Sequence, residues 1–131
     1  MRKDGRASLR QVAKRLETST TTVASRLRVM EKNGLIRGFR PLLDYRKIGF
    51  GITAVTLIKA VGGRIPSLMK DLMADPQLTH VYEITGEFDL MVIGKYRDTD
   101  MMNREIKKLL SHKAIKETNT AIVLGTAKEE F

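Results

Sequence analysis

The apolar residues between Ile52 and Ala127 switch repeatedly between strand-like and helix-like spacing, and the order of those switches admits few folds. Ile52 to Val61 is rich in Ile, Val, Thr and Ala, which predicts a buried strand. Ile65, Leu68, Met69, Leu72 and Met73 then recur at intervals of 3, 1, 3 and 1, which predicts an amphipathic helix. Pro66 fits its first turn and Pro76 ends it. Val81 to Thr85 and Leu90 to Tyr96 read as strands separated by Gly86-Glu87-Phe88-Asp89. A second helix starts near Asp98 or Thr99 with Met102, Ile106, Leu109 and Leu110 inward, and Ile115 to Ala127 is the last strand. The order β-α-β-β-α-β predicts an α+β, ferredoxin-like domain, an antiparallel sheet with both helices on one face.

That layout leaves the other sheet face open. Val55, Leu57, Ile84, Met91, Ile93, Ile122 and Leu124 are candidates to line it, in one register or the other. An open apolar face of this size marks an interface, and a homodimer through the sheet is expected.

The first 50 residues have a different character. Leu9, Val12, Ala13 and Leu16 share one face of a helix capped by Ser8. Glu17-Thr18-Ser19-Thr20 suits a tight turn and an N-cap, and a second helix follows with Val23, Leu27 and Met30 inward. It stops at Asn33-Gly34. Two short helices around a polar turn read as a helix-turn-helix. The outward face of the second carries Thr21, Thr22, Ser25, Arg26, Arg28 and Lys32, with no acid before Glu31. Hydroxyls and guanidinium groups without carboxylates suit phosphate contacts and base edges in the major groove. Leu35 to Arg40 reads as a short strand or wing, whose Arg37 and Arg40 either rest on phosphates or face solvent.

Charge follows the same division. Residues 1–50 hold 13 Lys and Arg against 4 Asp and Glu, whereas residues 51–131 hold 11 of each. The whole formal charge of +9 therefore lies on the first part, where it points to a polyanionic partner. The expected domains are 1–40 for DNA binding, 41–50 as linker and 51–131 as the ferredoxin-like part. No apolar run is long enough to span a bilayer, and Met1 to Arg6 is not followed by the apolar stretch of a secretory signal. Without cysteine there is no disulfide framework and no thiolate metal site, so a cytoplasmic protein with no membrane partner is expected.

No catalytic constellation stands out, and neither an enzyme nor a cofactor or metal site is expected. His80 and His112 are the two histidines, no serine sits in a nucleophile motif, and the carboxylates are dispersed among Lys and Arg. Gly62-Gly63-Arg64 before a helix is either an anion site or a plain loop, and a glycine pair favours the loop. Gly86 to Asp89 offers a glycine for close approach and two carboxylates for an ammonium group. The competing reading is a turn whose aspartate caps its own backbone, which the pattern alone favours.

Several of these segments together resemble the Lrp/AsnC family of prokaryotic transcription regulators, the leucine-responsive or feast/famine proteins. Asp4-Gly5-Arg6, Ser19 with Thr21-Thr22-Val23, Arg26-Leu27 and Glu31-Lys32-Asn33-Gly34-Leu35-Ile36 are similar to the family's helix-turn-helix. Thr85-Gly86-Glu87-Phe88-Asp89 is similar to the signature loop of its ligand-sensing domain. The resemblance implies a transcription regulator that binds double-stranded DNA as dimers, which assemble further, often to octamers of four dimers. Together with the outward face read above, the expected DNA-binding positions are Ser19, Thr21, Thr22, Ser25, Arg26 and Arg28. The resemblance also implies an amino-acid effector bound between dimers, with Gly86, Glu87, Phe88 and Asp89 as effector-loop positions. Thr99, Thr120 and Ala121 match effector positions at the second helix and last strand.

Family members have a further helix before Asp-Gly-Arg, and here the sequence opens on Met1-Arg2-Lys3. The expectation is a helix-turn-helix without its first helix, part of whose stripe of Leu9, Val12, Leu16, Val23 and Leu27 has no cover. One competing function shares the element order: an RNA-recognition-motif-like module, which stacks bases on aromatics of its central strands. The Leu90–Tyr96 strand offers aliphatics there instead, in a segment of zero net charge.

Overall fold

The computed structural model describes residues 2–129 as two compact units, which divide between Leu43 and Asp44. In the first, α1 (Leu9–Arg15) starts at a reciprocal cap. The Ser8 hydroxyl accepts from the Gln11 N–H, while the Ser8 N–H donates to the Gln11 side chain. After α1, Glu17 adopts a left-handed φ of 53°, and the Thr18 N–H reaches back to the Ala13 carbonyl at 3.0 Å. This is the αL helix ending normally given to glycine, here made by a residue that bears a Cβ. The chain then turns into α2 (Thr20–Lys32), capped by Ser19 and closed at Asn33, with Gly34 at φ 74°.

Ala7, Ala13 and Val23 are buried in this unit, and Val12, Leu27 and Met30 are half-buried. Leu9 (37% exposed) and Leu16 (62%) meet solvent, so the expected stripe is only partly covered. Leu35 to Arg40 forms no strand, which corrects the expected short strand.

The second unit is built on one antiparallel sheet of order β2-β3-β1-β4. Its strands are β1 (Ile52–Ala60), β2 (Leu78–Glu83), β3 (Leu90–Tyr96) and β4 (Ile115–Ile122). A short 3-10 turn, Gly62–Arg64, leads into α3 (Ile65–Met73), and α4 (Thr99–Leu110) is capped by Asp98. β2 starts and ends earlier than Val81 to Thr85, because Leu78 and polar His80 join the ladder with Thr79 bulged between them. β4 ends at Ile122 rather than Ala127, and Leu124 beyond it is 94% exposed.

Alternation along β1 sorts the sheet into two faces. Ala54, Thr56, Ile58 and Ala60 are buried on the helix side, where Leu68 and Leu72 of α3 join Leu90 and Val92 of β3. Met102 of α4 packs with Ala54 and Tyr96. Met73 (74% exposed) and Leu110 (49%) fall outside the inward stripes expected of their helices. Tyr96 lies across Gly94 on the same strand, and a Cβ built at Gly94 would sit 2.6 Å from its Cζ. Burial, then the carboxylates of Asp75 and Glu105, push the Tyr96 phenol up to about 12, so it is neutral at ordinary pH.

The other face carries Val55 and Leu57 opposite Ile93 and Met91, with Ala121 beside Val55. Ile122 pairs with Ala54 and so belongs to the helix side, while Ile84 and Leu124 lie beyond their strands. The register therefore selects four of the seven apolar candidates for the open face. Gly94→Ala should destabilise the second unit by about 1–3 kcal/mol, since Tyr96 must leave its packed position. Denaturant unfolding against wild type measures this, and an unchanged midpoint would show that the ring relocates at no cost.

Candidate functional site

The first candidate surface is the outward side of α2. Thr21, Ser25, Arg26, Arg28 and Lys32 are exposed, and Thr22 is half-buried. The Ser19 hydroxyl accepts from the Thr22 N–H at 3.1 Å and lies 2.8 Å from the Thr22 hydroxyl. Ser19 and Thr22 are thus joined at the helix start, whereas Thr21, Ser25 and Arg26 have free side-chain ends. The Arg28 Nε leans back onto the Ala24 carbonyl at 3.5 Å, at the limit of a hydrogen bond. Helical spacing puts Thr21, Ser25, Arg28 and Lys32 along one side, with Arg26 on the adjoining one. The result is a surface of donors, with one exposed carboxylate, Glu31, near its C-terminal end.

The second candidate is the Gly86–Asp89 connection between β2 and β3. Gly86 holds φ 108°, a backbone state that other residues adopt only under strain. Gly86 and Glu87 are exposed, and Phe88 and Asp89 are half-buried. Asp89 is tied to β1 at two points: its N–H donates to the Ile58 carbonyl (2.9 Å), and its Oδ2 accepts from the Ala60 N–H (2.7 Å). Its own carbonyl accepts from Ile84, closing the loop. Pairing of β1 with β3 ends at Ile58 and Leu90, and the carboxylate adds one more bond to β1 beyond that point. The aspartate therefore caps backbone, that of β1 rather than its own turn.

Three further positions are dispersed within the chain. Thr120 sits opposite Thr56 on the helix side, its hydroxyl 3.0 Å from the Thr56 hydroxyl. Ala121 faces the open side beside Val55. Thr99 opens α4, three residues after Tyr96, which pairs with Ile52 at the far end of β1. The Gly86–Asp89 loop adjoins Ile58, six residues along β1, or about 20 Å at strand rise. One chain does not bring Thr99 to the loop.

The sequence reading passed over Lys95. Its ammonium is nearly buried on the open side, hydrogen-bonded to the Thr53 hydroxyl at 3.0 Å and to Glu129 at 2.9 Å, and 5.0 Å from the centre of the Tyr45 ring. A lysine inside the otherwise uncharged strand Leu90–Tyr96 was the available signal. Next to it the sheet face and the segment from Val123 to Glu129 bound a concavity of about 600 Å³, with Val55, Ile93 and His80 on its floor. The open-face positions of β1 and β3 are Thr53, Val55, Leu57, Lys59, Met91, Ile93 and Lys95, without the aromatics an RNA recognition motif requires on these strands. Among the described residues no group of His, Cys, Asp and Glu has the makings of a metal site, and no helix is long and apolar enough to cross a membrane.

A helix-turn-helix whose outer face is rich in hydroxyls and cations, joined to a ferredoxin-like domain, defines a DNA-binding regulator with a ligand-binding domain. Comparison with known proteins gives the family. A model described as the Lrp/AsnC ligand binding domain matches residues 53–131, and one described as winged helix-turn-helix DNA-binding matches residues 1–37. The chain belongs to the Lrp/AsnC family of transcription regulators. It is similar to an HTH-type transcriptional regulator of Pyrococcus abyssi, 39% identical over 98% of this chain and 88% of that protein. An HTH-type regulator of Pyrococcus horikoshii is 40% identical over 98% and 87%. Among solved structures, a Neisseria meningitidis transcriptional regulator in complex with L-Met has TM-score 0.91 at 20% identity, covering 98% of this chain and 86% of that one. The AsnC protein of E. coli has TM-score 0.89 at 23% identity, covering 98% and 88%. These two likenesses establish the fold. The relatives are transcriptional regulators rather than enzymes.

The Asp89 geometry gives a direct expectation. Asp89→Ala leaves the Ala60 N–H without its acceptor and should cost about 1–3 kcal/mol, with faster hydrogen exchange at Ala60. Asp89→Asn keeps a carbonyl oxygen for that bond and should retain most of the protection. Equal exchange at Ala60 in wild type and Asp89→Ala would remove the carboxylate from this role.

Proposed function

We propose that this regulator reads duplex DNA through α2 and is controlled by an amino acid bound between dimers. The single observation that carries the DNA half is the outer face of α2, where Thr21, Ser25, Arg26 and Arg28 are exposed with no carboxylate among them. Arginine is the side chain best matched to guanine edges, and hydroxyls suit phosphates and bases alike. Ser19 and Thr22 then present the start of the helix to the phosphate backbone, and residues 1–40 are the DNA-binding part. Residues 41–50 link it to an effector-binding and oligomerisation part, 51–131. The setting is the cytoplasm.

The amino-acid half is supported by the loop and by the methionine complex of the neisserial relative. An amino acid brings an ammonium and a carboxylate to a confined site. Glu87 and the backbone carbonyls around Gly86 are acceptors for the first, and hydroxyls such as Thr120 are donors for the second. Because Thr99 follows Tyr96 at one end of β1, about 20 Å along that strand from the end the loop adjoins, a ligand meeting both sits between chains. Dimers pair through the open sheet face and assemble further, to octamers in the fullest form.

Two measurements test this reading. Arg26→Ala and Arg28→Ala should each weaken duplex binding in fluorescence anisotropy. A base-reading arginine costs on the order of 1–3 kcal/mol and relaxes sequence preference; a phosphate contact weakens all sequences alike. Unchanged affinity in both variants would remove α2 as the reading helix. Calorimetry with the 20 common amino acids should find at least one that binds wild type and alters its DNA affinity, and a panel without binding would refute the amino-acid effector.

Assembly is tested separately. Ile93→Asp places an unpaired charge at the centre of the open face and should convert dimers to monomers in light scattering. A wild-type chain that is monomeric at micromolar concentration would contradict the interface.

A further inference from the structure

The balanced charge of residues 51–131 conceals a local excess. From Arg104 to Lys116 there are five cations, Arg104, Lys107, Lys108, Lys113 and Lys116, against the single acid Glu105. Arg104, Lys107 and Lys108 are spaced by 3 and 4 on the exposed side of α4. Lys113 is exposed in the turn that follows, and Lys116 is exposed on β4, an edge strand of the sheet.

Of the exposed acids nearest to this cluster, Asp100 stands four residues before Arg104 and Glu117 follows Lys116, and among the described residues neither is within 4 Å of a cation of the cluster. Glu105 lies 3.9 Å from Lys108, whose side chain is 76% exposed, and a pair of that kind contributes little. Asp71 on α3 is engaged by His112 at 2.9 Å. Among the described residues Arg104, Lys107, Lys113 and Lys116 have no acidic partner within 4 Å.

The negative end of the helix dipole accounts for cations in the last turn, here Lys107 and Lys108. It does not reach Arg104, and Lys113 and Lys116 lie beyond the helix. Arg104 stands 3 and 4 residues from like charges, and Asp100 four residues before it balances one of them. The excess that remains suits an anionic partner.

We propose that this surface of α4 and the turn after it is a second DNA contact, one that holds backbone phosphates outside the sequence read by α2. The proposal rests on the DNA-binding reading given above. The chemistry favours duplex backbone over bases or single strands, because no Phe, Tyr or Trp lies between Arg97 and Glu129 to stack on a base. Point charges on long side chains follow phosphates irrespective of sequence. The helix layer lies opposite the open sheet face, so pairing of two copies through that face leaves the cluster accessible.

The test uses the full chain, the triple variant Arg104→Gln/Lys107→Gln/Lys108→Gln, and two duplexes bearing one selected site. One duplex spans only that site, and the other carries about 20 base pairs of unrelated sequence on each side, two turns of B-form helix at 10–10.5 base pairs per turn. Wild type should bind the longer duplex more tightly, with a steeper fall of log K against log salt. The triple variant should lose that gain and flatten the slope by roughly 2–3, at about 0.9 per phosphate contact. Its circular dichroism, its affinity for the short duplex and its sequence preference should be unchanged.

Identical behaviour of variant and wild type on the longer duplex would overturn the proposal. So would equal weakening on both duplexes, which places the cluster inside the read site, or a loss confined to single-stranded RNA. In each of these cases an effect of Arg26→Ala on the short duplex leaves the α2 reading standing. Wild type that binds neither duplex at low salt would refute both.

Discussion

The second unit depends on the two-sided alternation of β1. Lying between β3 and β4, the strand gives its even-numbered residues Ala54 to Ala60 to the helices and turns Thr53, Val55, Leu57 and Lys59 the other way. A slip of one residue would exchange these sets, exposing Ile58 and burying Lys59. Pairing on both edges holds the register, and at its end the Asp89 carboxylate takes the Ala60 N–H where the β3 backbone no longer reaches. The Gly86–Asp89 loop and the core of the sheet thus share a hydrogen bond. The separation between a packed face and a free one, on which the dimer reading rests, follows from the same alternation.

The element order was legible because α3 and α4 carry helical stripes and β1 and β3 carry dense apolar runs. Local capping was legible for a related reason. Ser8 with Gln11, and Asp98 with Met101, are interactions across three residues, within reach of a sequence window. The limits of β2 and β4 were not, because the ladder there takes in polar His80 past a bulge at Thr79 while apolar Val123 and Leu124 fall outside it. Only pairing with a neighbour settles such ends.

Long-range contacts account for the rest. The partner of Asp89 is 29 residues away and that of Thr120 is 64 away, so neither was visible in the local pattern. The loop was read from its residues alone as a turn whose aspartate caps its own backbone, and by resemblance as an effector loop. The backbone that Asp89 caps is that of β1. A role of the loop in binding then falls first to Gly86, Glu87 and Phe88, the residues not tied to β1. On α2 the surface was predicted from residue type, yet the Ser19–Thr22 contact separates residues that shape the helix start from those whose side chains reach outward.

Lys95 has a consequence for how the chain is handled. Its ammonium draws together Tyr45, at the entrance to the second unit, and Glu129, in the segment that leaves it. The two extremities of that unit therefore meet at one nearly buried charge. A tag or fusion that displaces Glu129 would leave the ammonium with a hydroxyl and a ring face as its remaining partners. Such a change would be felt at the entrance as well as at the exit, which makes the C-terminal side the less innocent place to attach a label.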